Sequence, residues 1–234
     1  MKAFVLAAGL GTRLRPITDR TPKCLVRIGG ATLLDQWLDS LADVGVDEVV
    51  VNTHHLSRLV RVHVAQRTGP PTVHLVEEPQ LLGSAGTLRA NRDFVAGEDM
   101  FLAVNVDNLT DFDLRLLIDA HRAGGAVATL TLFHAAQPSA CGIVTVDNSG
   151  LVVDYVEKPA EPSGDLANAG IYAFHPSLLD EITGPPPKDI GYDLLPLLVG
   201  RARTVLLQDS YFIDIGTPDA LQRANAEWGV RLTS

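Results

Sequence analysis

At 234 residues and 46% apolar content the chain can bury a full core as one domain, and its two cysteines, Cys24 and Cys141, exclude a disulfide framework or a CxxC zinc site. The formal net charge of −9, with no cluster of Lys and Arg, argues against nucleic acid as a partner. Before Gly9 there is one Lys and then six apolar residues, too few for a signal peptide or a membrane span, so a cytoplasmic protein with no membrane partner is expected.

Phe4-Val5-Leu6 has the composition of a buried strand, and the glycines behind it let the backbone turn with its N–H groups outward. The stretch Leu6-Ala7-Ala8-Gly9-Leu10-Gly11-Thr12-Arg13-Leu14-Arg15-Pro16, closed by Pro22-Lys23, therefore predicts a cradle for phosphate oxygens. Arg13 and Lys23 add fixed cations, which a leaving pyrophosphate requires. A Walker loop would need Gly-Lys-Ser/Thr at its end, and a dinucleotide fingerprint would need glycine at Leu14, so both are excluded.

Leu33, Leu34, Trp37, Leu38 and Leu41 recur at helical spacing, with Thr32 placed as cap and Asp35 in the first turn. Glu48 to Asn52 supplies a β-branched strand, and Leu56, Leu59, Val60 and Val64 a second helical face. A third strand over Val73 to Val76 precedes a third helix, Ser84 to Val95, that carries Leu88 and Phe94 inward. Phe101 to Val104 is a fourth strand. This alternation predicts an α/β fold, Rossmann-like, with a mostly parallel sheet, helices on both faces and ligands beyond the carboxyl ends of the strands.

After Ala123 the texture changes to strand-like runs, Val127 to Phe133, Ile143 to Val146, Leu151 to Val156 and Ile171 to Phe174, which predict a partly antiparallel extension. Pro185-Pro186-Pro187 predicts a rigid surface spacer, and Pro218 to Trp228, capped by Thr217, a closing helix. The expected organisation is one domain over 1–234, with the nucleotide-phosphate loop in a part at 1–123, and with the wall for a second substrate and the closing helix at 124–234.

Two carboxylates stand at apolar strand ends, in Val104-Asn105-Val106-Asp107-Asn108 and Phe212-Ile213-Asp214-Ile215-Gly216-Thr217. Desolvating such groups is costly unless they are paired, and a Mg²⁺ held between them is a reasonable compensation. The seven histidines show no metal spacing, and His54-His55 are expected to be satisfied loop residues. No Ser-His-Asp order or nucleophile elbow is present.

The segment Leu6 to Pro16 with Pro22-Lys23 resembles the signature of the sugar-1-phosphate nucleotidylyltransferases, and further motifs follow in the family's order. The texture is most similar to the short bacterial type that activates mannose 1-phosphate or a heptose 1-phosphate with GTP. The resemblance implies a nucleotide-diphospho-sugar transferase fold, Mg²⁺ as cofactor, and a nucleoside triphosphate and a sugar 1-phosphate as partners. It assigns catalysis to Arg13, Lys23 and Asp107, metal binding to Asp107 and Asp214, and nucleotide binding to Leu6, Ala7, Ala8, Gly9, Gly11, Thr12, Glu78, Gly83 and Ser84. Gly142, Glu157, Lys158 and Asn168 match the family's sugar-phosphate motifs, Glu157 accepting from two hydroxyls and Asn168 giving and accepting at one.

Guanine's N1–H and N2 amine suit an ionised acceptor such as Glu78, which favours GTP, while Gln80 in the same loop would suit uracil or thymine. A uridylyl or thymidylyl transferase for a hexose or amino-sugar phosphate is the alternative reading, with a phosphocholine cytidylyltransferase more distant. A non-catalytic sugar-nucleotide sensor is the other; its one support is Val106, where the family usually has glycine and where a β-branched side chain disfavours positive φ and fills space near the ribose. No left-handed β-helix tail of the kind some relatives carry is expected in these residues. The oligomeric state is open, and a homo-oligomer is compatible with the sequence.

Overall fold

The computed structural model describes residues 1–231, with side chains described through Gly229. In chain order the strands and helices are β1 (Lys2–Leu6), β2 (Arg27–Ile28), β3 (Ala31–Thr32), α1 (Leu33–Asp43), β4 (Glu48–Thr53), α2 (Ser57–Gln66), β5 (Thr72–Glu77), α3 (Ser84–Ala90) and β6 (Phe101–Asn105). There follow β7 (Asn108–Thr110), α4 (Leu114–Gly124), β8 (Ala128–His134), β9 (Gly142–Val146), β10 (Val152–Glu157), β11 (Leu166–Phe174), β12 (Ala202–Leu206), β13 (Phe212–Asp214) and α5 (Pro218–Arg231).

The first half forms a parallel sheet in the order β6-β1-β4-β5. β11 then runs antiparallel to β6 and carries β8 and β9 antiparallel beside it, with β10 beyond β9 and β12 parallel to β8. The expected parallel sheet with a partly antiparallel extension is therefore what the residues build.

Side-chain alternation explains why both faces are covered. Ala3, Val5, Val49, Val51, Leu102 and Val104 face a core completed by Leu34, Trp37, Leu38 and Leu41 of α1 and by Leu114, Leu117 and Ile118 of α4. Phe4, Val50, Phe101 and Ala103 face the other core, with Ala85 and Leu88 of α3 and Leu178, Leu179 and Leu194 from the turns after β11. A third cluster, of Leu14, Val26, Ile28, Leu33, Leu109, Ile213, Ile215, Ala224 and Trp228, packs α5 and β13 onto the segment behind the first loop. Residues near both ends of the chain are thereby tied together.

Thr32 caps α1 as expected, its hydroxyl accepting from the Asp35 backbone N–H at 3.0 Å. Three details differ from the sequence reading. The third helix stops at Ala90, because Asn91 turns its side-chain amide back to the Thr87 carbonyl at 2.9 Å, and a separate turn, Arg92–Val95, follows. In α2, Leu59 is 41% exposed and Val60 takes the core position, so the apolar stripe is narrower than the spacing predicts. Helix α4 was not anticipated, although Asp113 caps its start, Gly125 closes it at φ +58°, and Leu114, Leu117, Ile118 and His121 are buried at helical spacing.

Candidate functional site

The parallel register brings the ends of β1, β4 and β6 level, with Leu6 opposite Asn52 on one side and Asn105 on the other. The first loop, Asn52 and the Asn105–Asp107 turn therefore open into one cleft at the carboxyl edge, where an open α/β sheet places ligands. Its volume is about 420 Å³.

Asn52 organises one wall. Its Oδ1 accepts from the Ala7 backbone N–H at 2.6 Å, and its Nδ2 donates to Glu78 Oε1 at 2.9 Å and Thr87 Oγ1 at 3.0 Å. The Thr87 hydroxyl also donates to Glu78 Oε1, and the Leu82 N–H to Glu78 Oε2 at 3.0 Å. His54 Nδ1 holds the Glu78 carbonyl at 2.7 Å, and His55 Nε2 the Thr18 carbonyl at 2.9 Å, so both imidazoles are satisfied loop residues as expected. Asn52, Glu78 and Thr87 are all buried. The sequence reading offers Glu78 to the base as an ionised acceptor; in the fold Oε1 already accepts twice within the protein, and Oε2, accepting once, keeps capacity for one more donor.

In the first loop, Gly11 lies at φ +62°, and a Cβ there would meet Thr18 Cγ2 at 2.8 Å; the Thr18 hydroxyl donates to the Gly11 carbonyl at 2.7 Å. Gly9 is different: a Cβ there would meet nothing within 4 Å, so its bare backbone borders open cleft. Among the described residues, Ala8, Gly9, Leu10 and Gly11 donate no backbone N–H to a protein acceptor. That is the donor set a polyphosphate can use.

The charged centre lies beside this loop. β7 and β13 pair antiparallel with Asn108 opposite Asp214, and the Ile215 N–H donates to the Asp107 carbonyl at 2.8 Å. The two aspartates, 107 residues apart in sequence, are thereby held side by side. Lys23 Nζ reaches both, donating to Asp107 Oδ2 and lying 3.8 Å from Asp214 Oδ1. Burial and then the neighbouring Asp107 charge push the Asp214 carboxyl above the usual carboxylate range, against the pull of Lys23 and Arg13. Paired carboxylate oxygens are the hard donors a divalent cation takes, and Lys23 and Arg13 offset their charge in its absence. Among the described residues no group of three or more His, Cys, Asp or Glu could hold a metal, so a cation here would complete its shell with water and substrate phosphate oxygens.

Arg13 is exposed and stands outside the cleft lining. It is placed beside Asp214 over Gly216, where a Cβ would lie 2.9 Å from the guanidinium and 3.0 Å from Asp214 Oδ1. Thr12 is likewise exposed and outside the cleft. Val106 is buried and lines the cleft, but it does not adopt positive φ, so the backbone strain expected at this position is absent.

The second half supplies the opposite wall. Glu157, Lys158 and Asn168 line the main cleft and an adjoining recess of about 230 Å³ that also contains Gly142 and reaches Asp107 and Asp214. Lys158, at φ +48°, sends Nζ to 3.6 Å from Glu157 Oε1 and 5.6 Å over the Tyr192 ring. Glu157 Oε2 receives the Tyr155 hydroxyl between Gly142 and Gly191, and Oε1 is the oxygen on the side of Lys158. Asn168 Nδ2 donates to the Tyr172 hydroxyl at 2.7 Å and its Oδ1 accepts from the Gly170 N–H at 3.1 Å, which leaves one N–H and one lone pair, the capacity to give and accept at one hydroxyl. Of the cysteines, Cys24 is buried and its thiol is pushed up to about 12 by that burial, while Cys141 is half-buried in the recess.

Sequence reasoning missed the third wall. Pro185-Pro186-Pro187 is an exposed loop, but the residues after it dock on the start of α3 and the turn before it: Lys188 N–H donates to Leu82 O at 2.8 Å and Gly86 N–H to Lys188 O at 3.0 Å. The Ser84 hydroxyl donates to Asp189 Oδ2 at 2.9 Å and accepts from the Ile190 N–H at 2.7 Å. Gly83, at φ +76°, admits the Lys188 backbone where any Cβ would collide. Asp189, Ile190 and Gly191 thus line the cleft. Asn52 was also missed, although a polar residue ending an apolar strand run is the same signal that singled out Asp107.

The sequence profile of the nucleotidyl transferase family matches residues 2–229. The chain is 30% identical over 222 residues to the mannose-1-phosphate guanylyltransferase catalytic subunit beta of Dictyostelium discoideum, covering 93% of this chain and 62% of that protein. It is 35% identical over 240 residues to the UTP–glucose-1-phosphate uridylyltransferase of Synechocystis sp., covering 95% and 62%. The chain therefore spans about three fifths of the length of these relatives. A crystal structure from Bacillus anthracis, provisionally described as a glucose-1-phosphate thymidylyltransferase in complex with sucrose, superposes with a TM-score of 0.85 at 26% identity, over 98% of this chain and 95% of that one.

Proposed function

The chain belongs to the nucleotidyl transferase family, and from that premise we propose that it couples a nucleoside triphosphate to a sugar 1-phosphate, giving a nucleotide sugar and pyrophosphate. The observation that carries this reading is the convergence of Lys23, Asp107 and Asp214 beside a loop with unspent backbone donors. Residues 1–123 would supply most of the triphosphate site and 124–234 most of the sugar-phosphate site, with Asp214 returning to the first.

In this reading a sugar 1-phosphate oxygen attacks the α-phosphorus and the P–O bond to pyrophosphate breaks, a displacement that rests on positioning and charge neutralisation. The N–H groups of residues 8–11 hold the outer phosphates, and Arg13 neutralises charge on the departing pyrophosphate. Lys23 bridges the α-phosphate and the incoming sugar phosphate. Asp107 and Asp214 would hold Mg²⁺, which would supply charge withdrawal from the phosphate oxygens. Glu157 and Asn168 orient the sugar and Lys158 its phosphate.

We further propose GTP as the triphosphate and a mannose- or heptose-type 1-phosphate as the acceptor. What supports this is the guanylyltransferase relative and Glu78 in the cleft wall, whose Oε2 accepts from the Leu82 N–H and keeps capacity for one donor from a base. The uridylyl or thymidylyl alternative is favoured by the committed state of Oε1 and by the names of the Synechocystis and Bacillus anthracis proteins. A panel of triphosphates crossed with sugar 1-phosphates, with Mg²⁺ and pyrophosphate release as readout, tests both. The reading predicts turnover, fastest with GTP. No turnover with any pair, together with binding of a nucleotide sugar, would establish the sensor instead.

A further inference from the structure

Tyr155 and Glu157 stand two residues apart on β10, and so on the same face of that strand. The Tyr155 hydroxyl donates to Glu157 Oε2, and its ring is buried in the second core. The slot that holds this oxygen is walled by two glycines from separate segments: a Cβ at Gly142, opposite Glu157 on β9, or at Gly191, behind the Pro-rich loop, would each lie 2.5 Å from Oε2. Burial first, and then the bond to Glu157 and its charge, raises the Tyr155 phenol far above its usual range, so it remains a donor at any working pH.

The other oxygen, Oε1, lies 3.6 Å from Lys158 Nζ, and Glu157 borders both the main cleft and the adjoining recess. A carboxylate with two equivalent free oxygens could rotate to meet hydroxyls in several positions. This one is anchored through Oε2 between the two glycines, which places Oε1 toward Lys158.

We propose that Tyr155 is a positioning residue for sugar selection: by fixing Oε2 in the glycine-walled slot it presents Oε1 to the acceptor, restricting the site to sugar 1-phosphates with a hydroxyl at one fixed position. This rests on the transferase reading for its substrate, but not for the contact itself. With phenylalanine in place of Tyr155 the buried Oε2 would lack its donor and the carboxylate would leave the slot for solvent.

The test uses Tyr155→Phe with GTP and mannose 1-phosphate. Loss of one hydrogen bond to a carboxylate should raise the KM for the sugar phosphate roughly tenfold, with kcat within about threefold and the KM for GTP within about twofold. The same change in a Glu157→Gln background should add less than about twofold. A crystal structure of the variant should show Glu157 out of the slot. An unchanged sugar KM, an equal rise in both KM values, or an undiminished effect in the Glu157→Gln background overturns the proposal. If the wild-type protein releases no pyrophosphate with any pair, the transferase reading fails, and the variant's crystal structure decides the contact alone: a Glu157 that has not moved overturns it.

Discussion

Asn52→Ala removes three hydrogen bonds at once, to the Ala7 N–H, Glu78 Oε1 and Thr87 Oγ1, in a network where Asn52, Glu78 and Thr87 are between 0% and 4% exposed. A bond to a buried carboxylate is worth about 1.5–3 kcal/mol, and an orphaned backbone donor adds about 1 kcal/mol or more. The variant should therefore lose about 3–4 kcal/mol, which for a domain of this size lowers Tm by roughly 6–16 °C. Because Ala7 and the loop behind Glu78 both line the cleft, the KM for the triphosphate should rise at least about tenfold in a pyrophosphate-release assay. Asn52→Asp separates the contributions. It keeps an acceptor for Ala7 but sets a second carboxylate against Glu78, raising the folded-state pKa of the pair above its unfolded value. The native state then binds more protons, so this variant should gain stability as pH falls through the raised pKa and lose it as pH rises, a trend Asn52→Ala should not share. Scanning calorimetry between about pH 5 and 8 reads this out. An Asn52→Ala protein with wild-type Tm and wild-type triphosphate KM would refute the reasoning.

Lys23→Ala and Asp107→Asn should each cut kcat by orders of magnitude in steady-state assays, since charge placed for the transition state is being removed; rates near wild type would remove both from the mechanism. Their Tm values should change little, because Lys23 and Asp107 meet at the cleft and outside the three large cores. Two glycine variants should diverge. Gly83→Ala forces a Cβ onto the Lys188 backbone at an unfavourable φ of +76° and should lower Tm by several degrees, whereas Gly9→Ala meets nothing within 4 Å and should keep Tm while raising the triphosphate KM. Away from the site, burial opposes ionisation of Asp35, but hydrogen bonds from Thr32 and His63 and the charge of Arg67 hold its carboxyl below the usual 3.8. Its contribution is full above the unfolded-state pKa and is lost as pH falls through the depressed folded value, so the Tm gap between wild type and Asp35→Asn, measured from pH 7 downward, should shrink below about pH 4.

The sheet was legible because its strands carry unbroken apolar runs that a two-faced parallel sheet demands, as in Glu48–Thr53 and Phe101–Asn105. The turn after β1 was legible because glycine spacing is a local signal. Less could be said where a residue's duty is set by a distant partner. Nothing near Glu78 announces that Asn52 and Thr87 will consume its acceptor capacity, and Tyr155 looks like one more strand aromatic until Gly142 and Gly191 close around Glu157. The pairing of Asp107 with Asp214 depends on β7 and β13, each only three residues long and too short to show a period. The wall at Lys188–Gly191 was hidden because Lys188 docks through backbone atoms, which carry no residue signature, and Asp189 and Ile190 meet Ser84 across more than a hundred residues of sequence.

The central claim is that the first loop and two distant aspartates share one metal-bound triphosphate. Crystals grown with Mn²⁺ and a non-hydrolysable GTP analogue, with anomalous scattering recorded at the manganese edge, test it most directly. The account predicts an anomalous peak within coordination distance of both Asp107 and Asp214, with the triphosphate lying on the N–H groups of residues 8–11. A peak bound elsewhere, or a triphosphate seated away from that loop, would contradict it.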